Sequence, residues 1–469
     1  MLAMQAGKED KDDDAHVPRC TQEGEAQLVV NETSRLANNT PTQIGHDAAL
    51  SLHDVLTIAV LCGGTLSAKM AYSCVAPFFP EEAEEKGQGR AAIGFIFASF
   101  EGVIFLSTPL IGAWIPVLGV KNLCVGGLFL NGAASILFGL LPLYPAGFWF
   151  FWAALLPRLL EGLGVAALMT SATTFLTSKF PSRRNRLVGL MSTCAGLSFC
   201  MGPAVGGALK EWGGFHLPFT VLGLSTIAHG VAGIVLLERS AEPTELASVS
   251  KMFSLLRLPA ILLLVCGPAL AAITVGVVDP YLEPHVRQLE LGSMGVVALF
   301  IVLSLSYSAS GLAVGSAVDW TRRPRLIMAV GALLCIIALL ALGPSPLLDG
   351  LLNKSVVSVA ASLALIGAGV AALFIPAFQA SAAVAMTHGY DDSLRTYGVI
   401  SGMYHSSFTL GGFFGPLLGG VATHHFGFEW TITIVAGVHF LLVLVFACVY
   451  ARRDRRPTVE RIPMDEESM

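Results

Sequence analysis

The chain has 469 residues, 54% of them apolar and 13% charged, with a mean hydropathy of +0.69 and a formal charge of −5. Soluble globular proteins carry about 25% charged residues, so this composition excludes an ordinary soluble fold and points to a membrane protein. The small net charge gives no sign of a nucleic-acid partner, and nine scattered cysteines without a close pair argue against a metal or redox site.

Residues 1–53 are polar and mixed in charge, with an acidic run at Asp12-Asp13-Asp14 and no signal-peptide pattern, and read as a disordered cytosolic tail. Twelve apolar runs follow, each long enough for the roughly 20 residues that span a bilayer as a helix. They fall at about 54–78, 92–116, 121–142, 148–176, 186–209, 215–237, 257–279, 293–318, 326–344, 356–386, 396–423 and 430–450. This predicts an all-α membrane protein with six-helix halves at 54–237 and 257–450, joined by a loop at 238–256 and followed by a tail at 451–469. Of the 28 basic residues, 21 fall in the two tails and the even-numbered connections, so the positive-inside rule places both termini in the cytosol. The six tryptophans fall at span ends, Trp114 and Trp320 on that side and Trp149, Trp152, Trp212 and Trp430 on the other. Of three glycosylation sequons, Asn31 and Asn38 are placed in the cytosol and Asn353 in a short loop on the far side.

The chain repeats itself. Gly202-Pro203-Ala204-Val205-Gly206-Gly207 in span 5 returns 213 residues later as Gly415-Pro416-Leu417-Leu418-Gly419-Gly420 in span 11. Gly189 matches Gly402, and Gly214-Phe215 matches Gly427-Phe428, at the same offset, which marks two homologous halves. Glycines at i, i+4 and i+5 allow helices to approach closely, and proline removes a main-chain bond, so each copy reads as a bent, tightly packed helix between the halves.

Twelve spans in two related halves resemble the major facilitator superfamily. After span 2 the superfamily's Gly-x-x-x-Asp-Arg/Lys-x-Gly loop is partly present: Gly112, Gly119 and Lys121 stand, but Pro116 replaces the aspartate. Its counterpart after span 8 keeps Gly315 and Asp319, then Arg322 and Arg323, which implies a latch in which Asp319 faces a helix end or a basic residue. Span 4 carries Arg158-Leu159-Leu160-Glu161-Gly162-Leu163-Gly164, similar to the Arg-x-x-Gln-Gly-x-Gly motif. Arg158 and Glu161 share a helix face and can neutralise each other, as a coupling group or a purely structural pair. The duplicated glycine hexapeptide resembles the antiporter motif of drug and amine exporters.

A narrower resemblance is carried by Val75-Ala76-Pro77-Phe78-Phe79-Pro80-Glu81-Glu82 at the end of span 1, and by Gly427-Phe428-Glu429-Trp430 after span 11. These are similar to the vesicular amine transporters, closest to the polyamine-transporting branch. The resemblance implies proton-coupled antiport, in which cytosolic amine enters an acidic vesicle as protons leave, with no cofactor and no catalytic chemistry. No phosphate loop, nucleophile elbow or metalloprotease motif is present.

Such an antiporter needs an embedded group that holds a proton and a cationic substrate by turns. The candidates within the spans are Lys69, Glu101, Arg158, Glu161, Asp279, His229, His405 and His439, with Glu283 just beyond span 7. Glu101 is the first choice for the proton- or amine-binding carboxylate, against a structural role beside Lys69 or Arg158. Asp279-Pro280-Tyr281-Leu282-Glu283 answers the end of span 1 at an offset of 203, so Asp279 and Glu283 are candidates for a half-related amine site. Tyr72, Phe78, Phe79 and Tyr281 could offer aromatic faces to a cation, and His405 a proton relay or an ordinary buried hydrogen-bonder. The monoamine and acetylcholine branches place an aspartate where Ala68 stands here, followed by Lys69, and their acids in spans 10 and 11 give way to Gln379 and His405. Lys69 therefore leaves an organic anion open as the substrate, and a transport-inactive scaffold or sensor on the same fold is the alternative of another class.

Overall fold

In hydrocarbon a backbone amide has no water to bond, so each long apolar run satisfies its polar groups internally by forming a helix. A computed structural model describes residues 50–238, 254–286, 289, 293–348 and 354–454. Within them run twelve long helices: α1 (Leu52–Glu85), α2 (Arg90–Leu118), α3 (Val120–Gly139), α4 (Phe148–Lys179), α5 (Arg184–Gly213), α6 (His216–Leu236), α7 (Pro259–Val286), α8 (Ser293–Thr321), α9 (Pro324–Leu342), α10 (Val356–Thr387), α11 (Leu394–Phe426) and α12 (Phe428–Asp454). They match the twelve expected spans in order, and α4 and α10 are long, at 32 residues each. No strand occurs among the described residues. Both tails beyond these bounds, most of the connecting loop, all three sequons and the side chain of Glu283 lie outside the described residues.

Local chemistry sets the ends. Ser51 caps α1 in a reciprocal box with Asp54, and Ser355 and Ser393 accept from the first turns of α10 and α11. Gly214 and Gly427, the repeated pair, close α5 and α11 at φ of 76° and 81°, a backbone conformation that a side chain disfavours. Two expected ends move. Pro80 does not stop α1, which runs on to Glu85, and Pro280 does not stop α7, which runs on to Val286. Each proline removes one main-chain bond, and packed neighbours hold a membrane helix together across that loss.

Eleven of the twelve helices are long and apolar enough to cross a membrane by length and composition. The exception is α11, whose turns carry Ser401, Tyr404, His405, Ser406 and Thr409, all buried. It packs against α2, α7 and α4, so protein rather than lipid receives its polar groups.

The repeat is visible in three dimensions. Helix α3 packs on α4 and α6 as α9 packs on α10 and α12, and α1 lies on α5 as α7 lies on α11. The halves meet through two seams that the same relation exchanges, α2 with α11 and α5 with α8. Glycines form both. A side chain on Gly398 would sit 2.7 Å from the Gly112 carbonyl oxygen, and one on Gly402 2.6 Å from that of Thr108. In the other seam Gly311 would meet the Gly189 carbonyl at 2.9 Å, and Gly315 would collide with that of Asn185.

The hexapeptide glycines face elsewhere. Gly202 and Gly206 pack on Ser73, Cys74 and Phe78 of α1, and Gly415 and Gly419 on Ile273, Gly276 and Val277 of α7. Each copy thus fastens two helices of its own half, whereas the sequence pattern suggested a contact between halves. Ser73 and Cys74 donate to the carbonyls of Ser198 and Gly202, next to Pro203, which is itself exposed. In α11 the ring of Pro416 lies against Gly276.

Candidate functional site

Every hydrogen bond between the halves among the described residues lies on the side of Glu101 toward the start of α1, the end of the bundle called terminal below. Ser406 donates to Phe105 O at 3.0 Å, Ser401 to Thr170 O at 3.0 Å, and Thr193 to Ser308 O at 2.7 Å. Thr173 Oγ1 shares a 3.0 Å bond with His405 Nε2, placing that buried imidazole in the contact between halves. The terminal end is closed; beyond Glu101 no hydrogen bond ties the halves among the described residues.

Ionisable side chains of α1, α2, α4 and α7 gather just past this closure. Arg158 is fully buried and bonds Glu161 Oε2 at 2.6 Å. Its guanidinium carbon lies 4.5 Å from the ring centre of Phe100, 5.3 Å from that of Tyr72 and 5.7 Å from that of Phe138, and such desolvated cation–π contacts are worth about 2 kcal/mol. Tyr72 stacks on Phe100 at 4.5 Å. Lys69, Tyr72 and Glu101 are half-buried. Lys69 Nζ stands 5.7 Å from the Tyr72 ring centre, and the Glu101 carboxylate lies within electrostatic reach of Tyr72, Lys69 and Arg158. Glu101 also reaches the second half, since a side chain on Gly412 would come within 3.7 Å of its Oε2.

From the second half, Asp279 is exposed on α7 and its charge is felt at Tyr72. Tyr281 instead packs on the glycine repeat, its hydroxyl 3.5 Å from Pro416 O. Phe78 does the same against Gly206, while Phe79 is sealed among Phe97, Phe138 and Phe150, away from Lys69 and Glu101. His229 and His439 bond carbonyls of their own helices, Ser225 O at 2.8 Å and Val435 O at 2.9 Å. The structure thus brings Lys69, Tyr72, Glu101, Arg158, Glu161 and Asp279 together, with His405 below them, and leaves Tyr281 in a packing role. Among the described residues no group of three or more His, Cys, Asp or Glu could hold a metal.

The model of the major facilitator superfamily matches residues 61–391. The chain belongs to that superfamily. It is 30% identical to the MFS-type transporter SLC18B1 of Homo sapiens, over 89% of this chain and 92% of that one. Identity to the synaptic vesicular amine transporter of Mus musculus is 23%, over 81% and 69%. The crystal structure of the human organic anion transporter MFSD10 (TETRAN) superposes with a TM-score of 0.68 at 17% identity, covering 85% of this chain and 100% of that one, and shares the fold. This is a multi-pass membrane transporter fold, not an enzyme.

The superfamily loop after α8 lands at the terminal end. Asp319 accepts from Asn185 Nδ2 at 2.6 Å and from the Arg186 amide at 3.2 Å, against the first turn of α5, where amide groups favour an anion. Arg186 Nε lies 3.8 Å away, and Asn185 also donates to Gln379 Oε1. Beside it Arg184 stands 4.6 Å over the Tyr397 ring and 3.4 Å from Asp392, to which Tyr397 donates at 2.6 Å. Sequence reasoning did not single out Asn185, Arg184, Tyr397 or Thr173, because each meets its partner in the other half more than a hundred residues away.

Proposed function

We propose that the chain is a proton-coupled antiporter that loads polyamines such as spermine and spermidine, or related organic amines, from the cytosol into an acidic vesicle. Both termini then face the cytosol, and transport proceeds by alternating opening of the seams between α1–α6 and α7–α12. The observation that carries this reading is a carboxylate at the seam between the halves beyond the closed end: Glu101 of α2, within 3.7 Å of where a side chain on Gly412 of α11 would stand, next to the Tyr72–Phe100 stack, with Asp279 of α7 the candidate second carboxylate. Substrate and ion sites of such transporters lie near the midplane at the repeat interface. Tyr72 adds an aromatic face suited to an ammonium group. The names of the relatives, a vesicular amine transporter among them, support the same substrate class.

The test is uptake of labelled spermidine into proteoliposomes with an imposed acidic interior. Uptake that collapses with the gradient is expected, with a loss of at least about tenfold in Glu101→Gln at unchanged monodispersity. Gradient-independent uptake sinks the antiport reading, and an unchanged Glu101→Gln removes that carboxylate from the mechanism. One observation favours a second reading: Lys69 stands in the same site with no ion pair within 4.0 Å among the described residues. If organic anions are transported and Lys69→Ala abolishes it, the anion reading replaces the first.

A further inference from the structure

This inference deepens the amine-transport reading and rests on it. The charges around Tyr72 are unevenly shared between the halves. From α1, α2 and α4 come two cations, Lys69 and Arg158, and two carboxylates, Glu101 and Glu161, so this wall is neutral when all four are ionised. Arg158 is committed. It holds Glu161 at 2.6 Å beneath three rings, and removing it would strand a buried carboxylate at a cost of about 3–5 kcal/mol.

Lys69 is not committed. It is half-buried, its ammonium makes no hydrogen bond and no ion pair within 4.0 Å among the described residues, and the carboxylate acting on it is Glu101. It shares the Tyr72 ring at 5.7 Å, a surface that any ammonium can use. A lysine is also the right chemistry for a movable charge: a primary ammonium on a flexible four-carbon stem, like the end of an alkyl polyamine. In the second half Asp279 is exposed on α7 and makes no ion pair within 4.0 Å among the described residues.

We infer that Lys69 is a tethered counter-cation that stands in for a substrate ammonium at Glu101. The site then accepts one substrate charge at Asp279, and a polycation reaches its second carboxylate only by displacing Lys69. Lys69, rather than either acid, sets the discrimination between monocations and polycations. Its flexibility makes displacement possible, and its charge makes displacement costly, so Lys69 narrows the advantage that a second ammonium gives a polycation over a monocation.

The experiment measures KM for spermidine and for the monocation tyramine in proteoliposomes of the unsubstituted chain, Lys69→Met and Lys69→Arg. In Lys69→Met the ratio of tyramine KM to spermidine KM should rise about tenfold or more, equivalent to about 1.4 kcal/mol. In Lys69→Arg, whose guanidinium holds a carboxylate more firmly, the ratio should stay level or fall. If Lys69→Met does not yield monodisperse protein, the same ratio is read in Lys69→Gln. An unchanged ratio in the neutral variant, with amine uptake by the unsubstituted chain intact, overturns this inference alone. So does a neutral, monodisperse variant that moves neither amine while Lys69→Arg moves both. No uptake of either amine by the unsubstituted chain overturns the amine reading itself, and this inference with it.

Discussion

The two seams occupy equivalent places in the repeat and are built from different chemistry. Where α5 meets α8, the carboxylate of Asp319 binds Asn185 and the amide of Arg186, so polar bonds to the first turn of α5 accompany the glycine contacts. Where α2 meets α11, Pro116 stands in place of the matching aspartate, and the contact is made by Gly112, Gly398 and Gly402 with the Ser406 bond to Phe105. A seam of backbone against backbone depends on shape and tolerates no added atoms. A seam of hydrogen bonds depends on charge and can be exchanged for water. One repeat relation therefore yields two glycine-packed seams, of which the α5–α8 seam alone adds a carboxylate bound to the first turn of a helix.

The largest effect should come from adding atoms to the glycine seam. Gly112→Val drives a side chain into the Gly398 carbonyl and Gly402, and should cost more than about 3 kcal/mol in the closed arrangement. The measurement is labelling of a cysteine placed at Ser401 by a bulky thiol reagent from the terminal side, which should rise sharply. Labelling as slow as in the unsubstituted chain would break the comparison.

A smaller effect is expected at the polar seam. Asn185→Ala removes the donor shared by Asp319 and Gln379 and leaves two acceptors unpaired, at about 1–3 kcal/mol. Its signature is increased terminal-side labelling that Asp319→Asn in the same chain does not further increase, because the two residues act as one unit. Additive effects would mean that the latch is not a single device.

The smallest effect should lie away from both seams and serve as their control. At the far end of α7, His285 stacks on Phe428 at 4.3 Å, accepts at Nδ1 from Lys354 Nζ 3.3 Å away, and lies 3.7 Å from Glu429. Burial, and then the Lys354 ammonium, lower its pKa below 6.5. The neutral imidazole is thus favoured by the fold: its contribution is fully present above about 6.5 and fades as pH falls from there toward the lowered value. Between pH 7.5 and 5 the unsubstituted chain should lose more thermal stability than His285→Gln. Equal losses would remove His285 from the account, and terminal-side labelling should not respond to this substitution.

What was legible in the sequence follows from how far each interaction reaches along it. Helices declare themselves through local apolar runs, so all twelve were readable, α11 included, although its buried polar residues leave it the one that does not cross by length and composition. Glu101, Asp279, Arg158 and Glu161 stood out because an ionisable group in an apolar run is conspicuous. That Arg158 and Glu161 pair was readable from a spacing of three; that Glu101 reaches Gly412 was not, because nothing local ties residue 101 to residue 412. The ends expected at about 78 and 279 fell short because Pro77, Pro80 and Pro280 do not stop a helix where neighbours supply the packing. The hexapeptide revealed the duplication correctly, but its packing partner, α1 or α7 rather than the other half, needed coordinates.

The polarity of α11 has a consequence for how the protein is made. A segment with Tyr404, His405 and several hydroxyls gains less from entering lipid than its neighbours do, since insertion rewards apolar residues and penalises polar ones. Left alone at the translocon, it would be the span most prone to remain outside. It becomes favourable only when α2, α4 and α7 are already in the bilayer to receive its polar face. Its insertion should therefore depend on the first half and α7, whose helices receive its polar face. A substitution that disturbs Gly112 would then lower the yield of correctly threaded chains as well as the function of those that emerge.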